Sequence, residues 1–263
     1  PEQPIVMTSQ KAAGQRSYGD WGGLILCGRG AVNSPANAGN GTAAGEAIVE
    51  GGVGSIYGGG ANPEVNDNSG IIRYVRIEFG GIPFQPNSEI NGLTLCGVGN
   101  GTTIDHVQVS YCGDDAFEWF GGNVNVKNII AYRNWDDDFD TDFGYQGNVQ
   151  FALSIRDPQI ADQSGSNGFE SDNDAQGTTN TPNTQPVFSN ITVVGPLAFN
   201  RLMGNTIAGR AGGQDFINRA ITEIEIQTDS KKDEDKDDSS DTSDNAAVGS
   251  GPTRAIITES NMI

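Results

Sequence analysis

The sequence predicts an all-β protein, a right-handed parallel β-helix built as a single-stranded solenoid with rungs of about 22 residues. Three observations carry this reading. Acidic segments recur at a fixed interval. Apolar, β-branched segments recur between them at the same interval. No stretch between Gly19 and Val194 sustains a helical period.

The acidic segments are Gly113 to Phe120 (GDDAFEWF), Trp135 to Asp142 (WDDDFDTD) and Gly165 to Asp172 (GSNGFESD). Phe117 and Phe139 are 22 positions apart; Phe139 and Phe169 are 30 apart, and the excess matches the polar insert from Pro158 to Gln163. The apolar units keep the same spacing. Ile104 to Val109 recurs as Val126 to Ala131, again 22 later, and then as Val149 to Ile155. Ile71 to Ile77 and Phe188 to Val193 read as the same unit at the flanks. Each unit alternates in and out and ends at Gly, Asn or Asp, as short strands do. One such strand cannot bury its apolar face, but stacked copies can. A propeller needs about 40 residues per blade, and a sandwich has no such period.

The predicted organisation is an N-terminal cap or extension over 1–18, the β-helix over 19–227, an acidic low-complexity excursion over 228–246 and a final strand-like segment over 247–263. Residues 34–68, rich in Gly, Ala and Asn, read as an excursion between rungs. The run Asp229 to Asn245 has the composition of a solvated or disordered segment. The first residue is Pro1, which suggests a processed chain or a fragment, and strand-like sequence near Ile263 suggests that more follows.

A net charge of −19 argues against nucleic-acid binding, which needs a basic stripe, and suits a cation-binding or well-solvated surface. No run of 18 apolar residues is present, so no membrane-spanning helix is expected.

Stacking places like side chains about 4.8 Å apart on adjacent rungs. Asp115, Asp137 and Asn167 then form one ladder, Glu118, Asp140 and Glu170 a second, and Asp142 and Asp172 a third, with Phe117, Phe139 and Phe169 stacked inside. Carboxylates at that spacing repel one another unless a cation or protons intervene. Oxygen ligands of this kind suit Ca²⁺, so Asp115, Glu118, Asp137, Asp138, Asp140, Asp142, Glu170 and Asp172 are the candidate metal ligands. Asp138 to Gly144 begins like a calcium loop but departs from the EF-hand: its Gly is one place late, and Val149 stands where the bidentate Glu belongs. The competing reading is that these acids cap turns by accepting backbone N–H groups.

Catalysis is the alternative. Gly113-Asp114-Asp115 and Asp136-Asp137-Asp138 look like the paired acids of polygalacturonase-type glycosidases, which would make Asp115 and Asp137 general acid and base. The Gly-His-Gly and Arg-x-Lys segments of that family are missing. Arg133 and Arg156, 23 positions apart, are the bases a lyase reading would use, or else the countercharges of neighbouring acids. His106, the single histidine, lies on a strand and reads as structural. Trp119, Trp135 and Tyr145 are candidate sugar-binding aromatics, or else core. Cys27 and Cys96 occupy matched positions after Leu-x-Leu and before Gly, and either form a disulfide or remain thiols.

The segments Asp20 to Leu26, Tyr74 to Gly81, Asn91 to Leu95, Val98 to Ser110 and Asp114 to Gly122 resemble a family of secreted or surface-anchored β-helix proteins common in Bacteroidota. The likeness covers roughly Trp21 to Ile221. It implies a pectate-lyase-like fold, an extracellular or cell-surface location and an association with type IX secretion; it supplies no catalytic residues. The expected function is a non-catalytic extracellular protein, Ca²⁺-stabilised, acting in adhesion, glycan binding or self-association into a filament. The alternative is a polysaccharide hydrolase or lyase.

Overall fold

The computed structural model describes residues 3–35, 42–85, 88–162, 165–195 and the backbone of 256–258. Among the described residues every regular element is a strand. Those of the long sheet are β1 (Ile5–Met7), β5 (Ile71–Glu78), β9 (Thr103–Ser110), β11 (Val126–Tyr132), β13 (Asn148–Ile155), β15 (Val187–Val194) and β16 (Ile256–Thr258), stacked in that order and parallel throughout. The shorter sheet runs β2 (Leu24–Cys27), β8 (Leu93–Cys96), β10 (Phe117–Phe120), β12 (Phe139–Asp142) and β14 (Glu170–Ser171), also parallel. From β8 to β15 the chain alternates between the sheets at every step. That is a parallel β-helix.

The register fixes the rung. Val126 lies beside Ile104, and Phe139 beside Phe117, each pair 22 residues apart. Longer rungs carry insertions. Leu24 pairs with Leu93, and the intervening chain holds the antiparallel hairpin β3 (Ala47–Ile48) with β4 (Ile56–Tyr57). A second small hairpin, β6 (Pro83–Gln85) with β7 (Ser88–Glu89), precedes β8.

The sequence predicts simple alternation along each long strand; the structure breaks it at one place. Tyr74, His106, Asn128, Phe151 and Asn190 all have φ between 53° and 63°, and none is paired in the ladder around it. Each is a left-handed corner that bends its strand and resets the phase. Val126, Ile129 and Ala131 therefore all point inward, with an extra residue between the first two. Asn adopts this conformation at little cost, whereas other side chains pay roughly 1–2 kcal/mol. The corner at the end of the short-sheet strands uses Gly121 (φ 68°) and Phe143 (φ 51°) in adjacent rungs. At Gly121 a Cβ would also meet the carbonyl oxygen of Ala31 at 2.8 Å.

The core is a column of aromatic and branched side chains. Phe117, Phe139 and Phe169 stack with centroids 6.0 and 5.4 Å apart, and Phe169 meets Phe188 edge-on at 5.0 Å. Trp119 lies between Phe117 and Tyr145. Burying each ring contributes about 1.5–3 kcal/mol, repeated rung after rung.

Asp229 to Asn245 lies outside the described residues. Of residues 247–263, Ile256–Thr258 continue the long sheet beside β15. No described helix is long and apolar enough to cross a membrane.

Candidate functional site

The outward side chains of the short sheet carry the chemistry. Inward positions hold Leu93, Phe117 and Phe139; the next residue on each strand points out. Thr94, Glu118, Asp140 and Glu170 are therefore consecutive register partners on that face. A second outward row runs Cys27, Cys96, Phe120 and Asp142. Much of this face is covered, although Asp140 and Glu170 stay partly accessible and Cys27 is exposed. Glu118 is 7% exposed, and Thr94 2%. Val49 and Tyr57, from the insertion after β2, pack on Cys96 and Phe120.

The turns before the short-sheet strands add further carboxylates. Oxygens of Asp115, Glu118 and Asp140 all lie within 4.8 Å of one another, and so do those of Asp114, Asp115 and Asp136. At that separation two full charges repel by about 3 kcal/mol for an effective dielectric near 20. The carboxyl groups hold protons accordingly. Burial, then the charges of Glu89 and Glu50, push Asp114 up to about 8. Burial and Asp137 do the same to Asp140, again to about 8. Glu118 is raised well above the usual range by burial and Glu50, and Asp115 by burial and Asp114. Glu170 is raised chiefly by the charge of Asp137.

The predicted ligands separate into groups. Asp115 and Asp137 each commit one oxygen to the fold: the Asp137 backbone N–H donates to Asp115 Oδ1 at 2.8 Å, and that of Asn167 donates to Asp137. The turn-capping reading thus holds for one oxygen of each. Asp138 is corrected. It is fully buried, accepts from Ser154 and pairs with Arg156 at 3.0 Å, so it faces its own countercharge and not the cluster. Asp142 accepts from the Phe143 N–H at 2.6 Å. Asp140 keeps Oδ1 buried without a hydrogen bond, and so does Thr94 with its Oγ1, one register step beyond Glu118. Three converging carboxylates, with Asp140 Oδ1 and the neighbouring Thr94 hydroxyl lacking hydrogen bonds, fit a hard, oxygen-seeking cation.

Two of the predicted aromatic ligands are corrected as well. Trp119 and Tyr145 are completely buried, and the Tyr145 hydroxyl donates to the Val124 carbonyl at 2.8 Å. An inward position in a stacked rung leaves no face for a sugar. Trp135 is 38% exposed, edge-on to Tyr18, with its Nε1 donating to Asp162 at 3.3 Å.

Arg133 and Arg156 are adjacent in register, since the Arg133 N–H donates to the Ile155 carbonyl, but their side chains diverge. Arg133 is half exposed at a left-handed corner and pairs with Asp157 at 3.7 Å. Arg156 is buried against Asp138. Neither is placed as a free base over the cluster. His106 sits on the outer surface, stacked on Tyr74 at 4.6 Å with Nδ1 2.7 Å from Asp105, far in register from the acids.

Cys27 and Cys96 are register partners, and both are free thiols. In-register parallel strands hold like Cβ atoms near 4.8 Å, wider than the 3.5–4.5 Å of a disulfide.

The sequence matches the family model of the pectate-lyase-like beta helix domain over residues 1–256. The chain belongs to this pectate-lyase-like β-helix family. No curated protein and no solved structure matches it. Four contributors to the site had no repeat signal: Glu50 and Glu89 come from the two insertions, and Asn91 and Thr94 from a rung with no acidic segment. Thr94 was within reach of the alignment, because Leu93-Thr94-Leu95 shares the in-out phase of Phe117-Glu118-Trp119.

Proposed function

We propose that the protein is an extracellular, non-catalytic β-helix scaffold whose acidic face holds a divalent cation, Ca²⁺ by its oxygen chemistry. It would act in adhesion, glycan binding or assembly. Membership of the pectate-lyase-like family supports an extracellular, polysaccharide-related role. The type IX secretion route and the Bacteroidota origin rest on the sequence resemblance. The observation that carries the cation reading is the convergence of Asp115, Glu118 and Asp140 next to the unbonded Thr94 hydroxyl. Arg156, buried beside the acidic turns, pairs with Asp138 and donates to the Asp136 carbonyl. Calorimetric titration of EDTA-stripped protein with CaCl₂ tests it. Stoichiometric binding that Asp140→Asn weakens at least tenfold is the expected result; no heat in the wild type would overturn the reading.

One observation favours the enzymatic alternative. Burial and the charge of Asp114 hold Asp115, one of the two acids of that reading, well above the usual carboxylate range, as a general acid needs. That reading requires product release from a polysaccharide that Asp115→Asn and Asp137→Asn abolish. Unchanged activity in both variants would end it.

A further inference from the structure

A cleft of about 220 Å³ opens between the insertion that carries Glu50 and the β-helix wall at Phe120 and Phe143. Asp174, Gln176 and Asn180 close its far side. Its size lies below the range of about 300–1,000 Å³ that suits drug-sized ligands, which limits the occupant to a single small ring. The lining is mixed. Phe120 and Phe143 meet edge-to-face at 5.7 Å and supply an apolar corner. Gln176 and Asn180 contribute side-chain amides able both to donate to and accept from hydroxyl groups.

The charge in the cleft is of one sign. Asp174 is 3% exposed; its Oδ1 accepts from the Gln176 and Thr178 backbone N–H groups and its Oδ2 from the Thr178 hydroxyl, so it holds its own turn. Glu50 differs. The charged groups that act on it or that it acts on are Glu89, Glu118 and Asp114, all of its own sign. A carboxyl group pushed up to about 7 by burial and Glu89, sharing a cleft with aromatic rings, favours a cationic partner that restores its charge, and the rings favour one carried on an organic frame. Amides and the face of one phenyl ring add the groups that hold the hydroxyls and the C–H face of a pyranose.

We propose that this cleft binds an amine-bearing sugar, a hexosamine unit with a free ammonium group, and rejects uronic acids. The ring would rest on Phe143, and its ammonium group would face Glu50. This deepens the glycan-binding part of the function proposed above by naming the sugar class; its carboxyl, Glu50, acts electrostatically on the cation centre but is not one of the clustered ligands Asp115, Glu118 and Asp140.

The test is calorimetry or saturation-transfer NMR on the whole chain with glucosamine, glucose, glucuronate and spermidine, each in Ca²⁺ and in EDTA. Glucosamine should bind at least tenfold more tightly than glucose, and glucuronate should not bind. Glu50→Gln should remove that preference. Phe143→Asn should abolish sugar binding while keeping the fold, because Asn tolerates the positive φ of this residue. Glucosamine binding no tighter than glucose, glucosamine binding unaffected by Phe143→Asn, or spermidine binding as tightly as glucosamine would each overturn the proposal. Failure here with Ca²⁺ binding intact would leave the cation reading standing.

Discussion

Glu118 and Asp140 sit side by side on the outward face of adjacent rungs, 22 residues apart in sequence and in direct register. With Asp115 they bring carboxylate oxygens within 4.8 Å of one another in a place that water hardly reaches. The repeat that stacks Phe117 on Phe139 is the same repeat that forces these two acids together. Folding and charge repulsion are thus coupled.

Stability should depend on pH in an unusual direction. Asp114 and Asp140 have ordinary carboxyl values near 3.8 when unfolded and about 8 when folded. Below 3.8 both states are protonated and no difference arises. Between 3.8 and about 8 the folded state binds more protons, so stability falls as pH rises, and the loss is complete above 8. Urea unfolding in EDTA should give a smaller free energy at pH 8 than at pH 5, with a slope of at most about 1.4 kcal/mol per pH unit for each of the two groups. Millimolar Ca²⁺ should flatten that slope. A rise in stability from pH 5 to 8 in EDTA would contradict the electrostatics of the cluster.

Removing the countercharge of Asp138 should be costly. Arg156→Met leaves a fully buried carboxylate facing Ser154 alone and should destabilise by about 3–5 kcal/mol. Pairing it with Asp138→Asn should recover most of the loss. Denaturant midpoints of the two single variants and the double variant measure this, and equal damage in single and double would show that the pair is not coupled.

The left-handed corners make opposite predictions at two positions. Asn128→Ala loses a residue suited to φ 54° and its 2.9 Å bond to Asp105, and should cost about 1–3 kcal/mol. Phe151→Asn replaces a half-exposed ring at φ 63° and should stabilise by roughly 1 kcal/mol. Thermal unfolding of both variants checks the corner assignment.

In the core, Phe139→Ala should cost about 3–5 kcal/mol, because the ring is fully buried between Phe117, Phe169 and Phe188. Loss of less than about 1 kcal/mol by chemical denaturation would mean that the column collapses freely around the gap.

The fold was legible because its signal is a period. Phe117, Phe139 and Phe169 fall on one inward row, and Ile104, Val126 and Val149 on another, as their spacing in sequence implies. The acid rows were legible for the same reason. What the period does not encode is which way a turn residue points. Asp138 follows Asp137 directly, yet one faces Arg156 and the other the Asn167 backbone. Trp119 and Tyr145 lie next to acids and suit either a sugar-binding or a core role; strand phase places Trp119 inside, and the Tyr145 hydroxyl finds a backbone carbonyl there. Glu50 and Glu89 reach the cluster from insertions outside the repeat, and tertiary contact alone brings them in.

The most direct test of the account is thermal unfolding of the wild type and of Glu118→Gln/Asp140→Asn, each in EDTA and in millimolar Ca²⁺. At about 100 times its Kd a cation bound only by the folded state adds roughly 2.7 kcal/mol, or about 5–10 °C for a chain of this size. The expected result is that shift for the wild type, no shift for the double variant, and a higher melting temperature for the variant than for the wild type in EDTA. A wild type indifferent to Ca²⁺, or a variant that shifts as much as the wild type, would contradict it.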